Sequence, residues 1–175
     1  MTPDSNRWLE NSPSTKPGAI QIYTSNRPQP APTSPPSVAP QGPTLGNGPV
    51  LDALRFILNG PASTAGLLAA VFSGGVCEGI TSEGLIICGG ATSWGWGGGT
   101  TLGNVFVTPS KAKDLTRAVL SHEDRHASQW AIFGPILFPV SYGLMSALSS
   151  LVTGGYACGN LFEMHAGLAR GGYEC

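Results

Sequence analysis

The sequence predicts an α+β fold: a small β-sheet packed on an active-site helix, further apolar helices, and a disordered Pro-rich N-terminal tail. Three observations carry that expectation. A Pro/Ser/Thr-rich stretch gives way near Val50 to apolar residues at helical spacing. The glycine-rich middle, from Val76 to Val107, is dominated by Thr, Ile and Val and reads as short strands. A long helical pattern then carries His122-Glu123-Asp124-Arg125-His126, which holds two of the three histidines of the chain.

The tail, residues 1–49, contains eleven of the fifteen prolines and few large apolar side chains. It cannot bury enough surface to offset the entropy of ordering, so a disordered linker is expected. Segments such as Pro28-Gln29-Pro30-Ala31-Pro32 favour extended polyproline conformations. The start of the chain has neither the basic region nor the apolar core of a signal peptide. One domain, residues 50–175, is expected to follow. Charged residues make up 11% of the chain, against roughly 25% in ordinary soluble domains, and the net charge is −1. That balance lacks the basic footprint of a nucleic-acid-binding protein.

Leu51, Leu54, Ile57 and Leu58 recur at helical spacing, and Asn59-Gly60 reads as a stop. Pro61 opens a second apolar helix through Phe72, ended by Ser73-Gly74-Gly75. Leu85-Ile86-Ile87 and Asn104-Val105-Phe106-Val107 read as strands, with a loop or turn over Trp94–Gly99 between them. Thr108 as N-cap and Pro109 at the first helical position start a helix expected over 110–133, broken by Gly134-Pro135. Leu115, Val119, His122, His126 and Gln129 or Trp130 share one of its faces, so the ligand face is also the expected buried face. From Ala127 to Phe162 there is no charged residue. Pro135 and Pro139 leave Val140–Thr153 as the uninterrupted apolar run, a length suited to a buried core helix, with membrane contact through residues 131–153 as the alternative. A last helix, Leu161 to Arg170, carries Glu163.

The pentapeptide places two imidazoles four residues apart on one helix face, where both reach a single metal ion. This is the H-E-x-x-H arrangement, with His122 and His126 as Zn²⁺ ligands and Glu123 as general base on an activated water. Catalytic zinc takes three protein ligands. Glu163 and His165, two residues apart, face different ways on one helix, so one of them is expected to ligate and His165 to act in a supporting role. The four cysteines, Cys77, Cys88, Cys158 and Cys175, contain no C-x-x-C pair. Their even number and the low charge favour two disulfides in an oxidising compartment over four buried thiols, with the connectivity open.

Four pieces of the chain resemble a family. They are Thr101-Leu102-Gly103-Asn104-Val105-Phe106-Val107; Leu120-Ser121-His122-Glu123 with His126 and Gln129; Gly134-Pro135; and Asn160-Leu161-Phe162-Glu163 with Ala166-Gly167. Over roughly residues 85 to 173 they resemble bacterial zincin-type metallopeptidase-like domains of the gluzincin plan, some of which occur in secreted or polymorphic-toxin proteins. The resemblance implies an edge strand lining the cleft, His122, His126 and Glu163 as zinc ligands, and Glu123 as base. It also implies an immunity or carrier protein as a partner and a secreted or cell-surface location. Asp124 and Arg125 stand where such enzymes usually have uncharged residues, and both are expected to point away from the metal.

The expected function is therefore zinc-dependent peptide hydrolysis, with a polypeptide substrate added along Asn104–Val107 and His165 orienting Glu163 or the oxyanion. Tyr142, Tyr156 and Tyr173 are candidates by type for stabilising that oxyanion. The alternative is a membrane-associated or catalytically inactive zincin-fold domain whose metal is structural.

Overall fold

The computed structural model describes residues 48–82, 84–94 and 98–175. The expected tail therefore lies outside the described residues, apart from its last two positions, as does the centre of the Trp94–Gly99 loop. The described fold is α+β. Helix α1 (Pro49–Phe72) is followed by β1 (Val76–Ile80), β2 (Ile86–Gly89), β3 (Thr100–Leu102) and β4 (Val105–Val107). Helices α2 (Arg117–Thr153) and α3 (Leu161–Ala166) complete it. The sheet order is β1-β2-β4-β3, with β2 and β4 parallel and the outer pairs antiparallel.

The two expected N-terminal helices are one. Asn59 does not end α1 because its side-chain amide donates to Asn104 Oδ1 at 2.8 Å and to the Ala127 carbonyl at 2.9 Å. Pro61 sits on the exposed side, where a missing backbone donor leaves a carbonyl to water rather than to the core. The inward stripe of α1 is Arg55, Asn59, Ala62, Gly66 and Ala70, while Leu51, Leu54, Ile57 and Leu58 are exposed. Small residues on that stripe let the sheet approach closely: a Cβ on Gly66 would lie 2.9 Å from that of Val105. Ala70 packs with Cys88, Ala91, Val105 and Val107 in the core beneath α1.

Thr108 is not the cap of the long helix. Its hydroxyl donates to the Gly98 carbonyl at 2.7 Å, and the chain passes through a short 3-10 turn, Ala112–Asp114, before α2. The cap is Thr116, whose side chain accepts from the Val119 amide. The expected break at Gly134 is present as a kink. Gly134 has φ 75° and ψ 175°, a left-handed φ that a glycine adopts at little cost, and it divides α2 into two arms. The second arm is not the buried core helix expected for Val140–Thr153. Phe138 and Ser149 are buried, but Ile136, Val140, Leu144, Leu148 and Leu151 face outward. The last helix ends four residues earlier than expected, where Gly167 takes φ 99°.

Both disulfides form, Cys77–Cys88 across the β1/β2 pair and Cys158–Cys175 at the C-terminus. The first ties an edge strand to the sheet. The second clasps the last residues of the chain to the turn that precedes α3.

Candidate metal centre

The first arm of α2 lays His122 and His126 one turn apart against α3, which contributes Glu163. Asn160 caps α3 by accepting from the Phe162 amide at 3.0 Å, and this orients the short helix that carries Glu163. All three side chains are buried. His122 Nε2 and His126 Nε2 are 3.1 Å apart, and Glu163 Oε2 lies 3.1 Å from the first and 3.5 Å from the second.

Tautomers follow from the other ring nitrogens. His122 Nδ1 donates to the Gly167 carbonyl at 3.1 Å, and His126 Nδ1 donates to Gln129 Oε1 at 2.8 Å. With each Nδ1 holding the ring proton, both Nε2 atoms present lone pairs to one point. Among the described residues Glu163 Oε2 has no hydrogen-bond partner in that buried place. Two lone pairs and a carboxylate oxygen facing one another are repulsive unless a metal cation or a shared proton lies between them. A tetrahedral metal with bonds of about 2.0–2.1 Å separates its ligand atoms by roughly 3.3 Å, close to the observed spacings. His122, His126 and Glu163 thus form a buried group that can hold a metal ion.

The electrostatics agree with a cation-seeking site. Burial alone would raise the Glu163 carboxyl, but the His122 and His126 imidazoles and the Tyr142 hydroxyl hold it well below the usual carboxylate range. Burial would lower His126, and the Glu163 and Glu123 carboxylates with Gln129 outweigh it, so His126 is raised. Tyr142 donates to Glu163 Oε1, which leaves Oε2 for the cluster. Burial, with the nearby Glu163 charge, pushes the Tyr142 and Tyr173 phenols far up, so both keep their protons at neutral pH.

A cavity of about 660 Å³ opens over the three ligand atoms. Glu123 lines it, half-buried, its Oε2 accepting from the Thr101 hydroxyl at 2.6 Å. The strand beside the cavity is β3, an edge strand. The expected strand, Asn104–Val107, lies mostly in β4, which is interior between β2 and β3. The Thr101 carbonyl on β3 already accepts from Trp130 Nε1 at 2.7 Å. The opposite wall is the second arm of α2, through Phe138, Pro139 and Tyr142.

Other expected placements need correction. His165 is exposed and makes none of the expected contact with Glu163; its Nδ1 meets Gln129 Nε2 at 3.2 Å. Gln129 takes the supporting position instead, bonding His126 through its oxygen and the Phe162 carbonyl through its nitrogen. Its place three residues after His126, one helical turn on, was the signal in the sequence. Asp124 and Arg125 meet other groups of the fold. Asp124 pairs with the buried Arg55 at 2.6 Å, and Arg125, itself buried, donates to the His165 carbonyl at 2.9 Å. Burial, then the like charge of Arg170, lowers Arg125.

The C-terminal loop also belongs to the site. Gly171 packs on the His122 ring, where a Cβ would lie 2.6 Å from Cε1, so only glycine fits. Tyr173 lines the cavity with its hydroxyl 3.3 Å from that of Tyr156, and the Cys158–Cys175 disulfide holds this loop in place. Compared with protein-family models, curated proteins and solved structures, the chain has no match in any of the three.

Proposed function

We propose that this domain is a zinc-dependent metallopeptidase-like hydrolase. One observation carries the reading: two imidazoles of fixed tautomer and an orphaned buried carboxylate oxygen converge in a cavity that Glu123 also lines. The resemblance to gluzincins rests on the same residues and their spacing. Nitrogen and carboxylate donors with room for a further ligand suit zinc. When bound, zinc supplies Lewis acidity, acidifying a water and polarising a carbonyl.

The chain's own residues divide the remaining work. Glu123, held by the Thr101 hydroxyl, accepts one proton from the attacking water and delivers it to the leaving amine nitrogen. A C–O bond forms and the C–N bond breaks, so hydrolysis balances with no other reactant. Tyr142 has its proton committed to Glu163, whereas Tyr173 accepts from Tyr156 and has its own proton to give to the developing oxyanion. Gln129 and the Gly167 carbonyl keep the imidazoles aimed. A polypeptide would lie in the cavity against the β3 edge. The reading includes a secreted or cell-surface location, supported by the two disulfides.

Glu123→Gln tests it. Zinc content measured on the purified protein should stay at one equivalent while cleavage of an unfolded protein falls on the order of a thousandfold or more. Undiminished cleavage in that variant, or a wild-type protein that takes up no zinc, would sink the reading.

A further inference from the structure

We infer that the outward sides of α1 and of the second arm of α2 form a lipid-docking surface, by which the domain lies on and dips into a bilayer. The first ground is an inside-out distribution. On α1 the buried stripe is Arg55, Asn59 and three small residues, while nine large apolar side chains are exposed. Seven more are exposed on the second arm of α2, with Ile132 and Phe133 just before the kink. Ile57, Phe72, Ile136 and Leu151 are 73%, 84%, 80% and 83% exposed. Scattered exposed apolar residues are ordinary in a soluble monomer; whole helix faces of them are not.

The second ground is charge. No charged residue occurs from Phe56 to Phe72 or from Ala127 to Phe162, so apart from the exposed Asp52 in the first turn of α1 the outward faces carry no charge to keep an exposed helix in water. The third is the kind of apolar residue. Of the eighteen exposed side chains, all are Val, Leu or Ile except Phe72 and Phe133. Interfaces between proteins concentrate Tyr, Trp, Met and Arg, with polar groups to pair. A mostly aliphatic face, whose exposed Thr64 and Ser150 hydroxyls are bonded back to the helix carbonyls of Gly60 and Ser146, matches hydrocarbon instead.

Docking is one-sided. The inner side of α1 is committed to Asn104 and Asp124 through Arg55 and Asn59, and Glu78 on the edge strand β1 is exposed. The second arm of α2 presents its outer side to lipid and its inner side to the cavity. The metal centre therefore sits within about one helix diameter, roughly 10 Å, of the membrane surface.

Flotation of the full chain with vesicles of neutral phosphatidylcholine tests this, and the Glu123→Gln protein serves equally because docking does not depend on hydrolysis. Wild type should float with the vesicles at low and high salt alike, since the contact is apolar and the net charge is −1. The triple variant Ile136→Glu, Val140→Glu, Leu151→Glu should lose at least tenfold of that binding while its metal content is unchanged. Wild-type protein left at the bottom of the gradient overturns the proposal. So does a discrete dimer, abolished by the same substitutions and indifferent to vesicles, which would make a second copy the occupant. If the triple variant does not fold, photo-crosslinking of wild type from a diazirine in the acyl chain decides. Label in peptides of α1 and α2 and not of β1 supports docking; label confined to β1 overturns it.

Discussion

The two arms of α2 belong to one helix and reverse each other's burial. The first arm buries His122, Arg125, His126, Ser128, Gln129 and Trp130, each with a polar atom in its side chain, beside the small Ala127 and Ala131. The second arm buries Phe138 and Ser149 and turns a file of aliphatic side chains outward. Hydropathy alone would have assigned the arms the other way round. Polar groups go inside in the first arm because each finds a partner: a carbonyl for Arg125, a carboxylate for the imidazoles, an amide for His126. The second arm finds polar partners on its inner side alone, Tyr142 on Glu163 and Ser146 and Ser149 on the turn before α3, and there it also supplies a cavity wall. Chemistry is concentrated where burial is polar, and the exposed apolar side calls for another medium.

The largest expected effect falls on the first arm's partner in α3. Glu163→Ala removes the one anionic ligand and should weaken metal affinity on the order of a thousandfold or more, read by competition with a chromophoric chelator. Retained affinity would mean that the ligand group is not His122, His126 and Glu163.

Next comes the brace between α1 and the same arm. Arg55 and Asp124 are 4% and 15% exposed, and removing the carboxylate takes a charged contact of 2.6 Å from a buried guanidinium. Asp124→Ala should cost about 3–5 kcal/mol in urea unfolding. A loss below about 1 kcal/mol would reduce the pair to a surface ion pair. Gln129→Leu ranks third. Freeing the His126 ring should cost about 10–100-fold in metal affinity with helix content unchanged, while His165→Ala leaves affinity where it was. The opposite ranking would return the supporting role to His165.

His122 and His126 were legible because their chemistry is local, two imidazoles one turn apart, whereas Glu163 rested on the resemblance, with His165 as its rival. The fold class followed from composition and period. What was not legible depended on distant partners. Asn59-Gly60-Pro61 reads as a stop until Asn104 and Ala127 arrive to hold Asn59 in the helix. Strands β1 and β3 are set among glycines, and their pairing is decided by neighbours rather than by alternation. The buried places of Arg55 and Arg125 defy residue type and follow from partners on other elements. Gly171 and Tyr173 join the site only because the Cys158–Cys175 clasp folds the chain end back over His122.

The smallest expected effect is the sharpest statement about the second arm. Leu144 is 58% exposed and carries a large apolar side chain in water. If the arm were held in place by that side chain, Leu144→Ser would behave as a core deletion and cost 2 kcal/mol or more, roughly as buried leucines do. The arm is held instead from its other side, by Phe138 packed with Ala62 and Trp130 and by Tyr142 on Glu163. Leu144→Ser in dilute buffer should therefore change the unfolding free energy by no more than about 0.5 kcal/mol. A loss of several kcal/mol would mean that Leu144 is covered in solution, and the reversal of burial between the two arms would belong to the isolated chain alone.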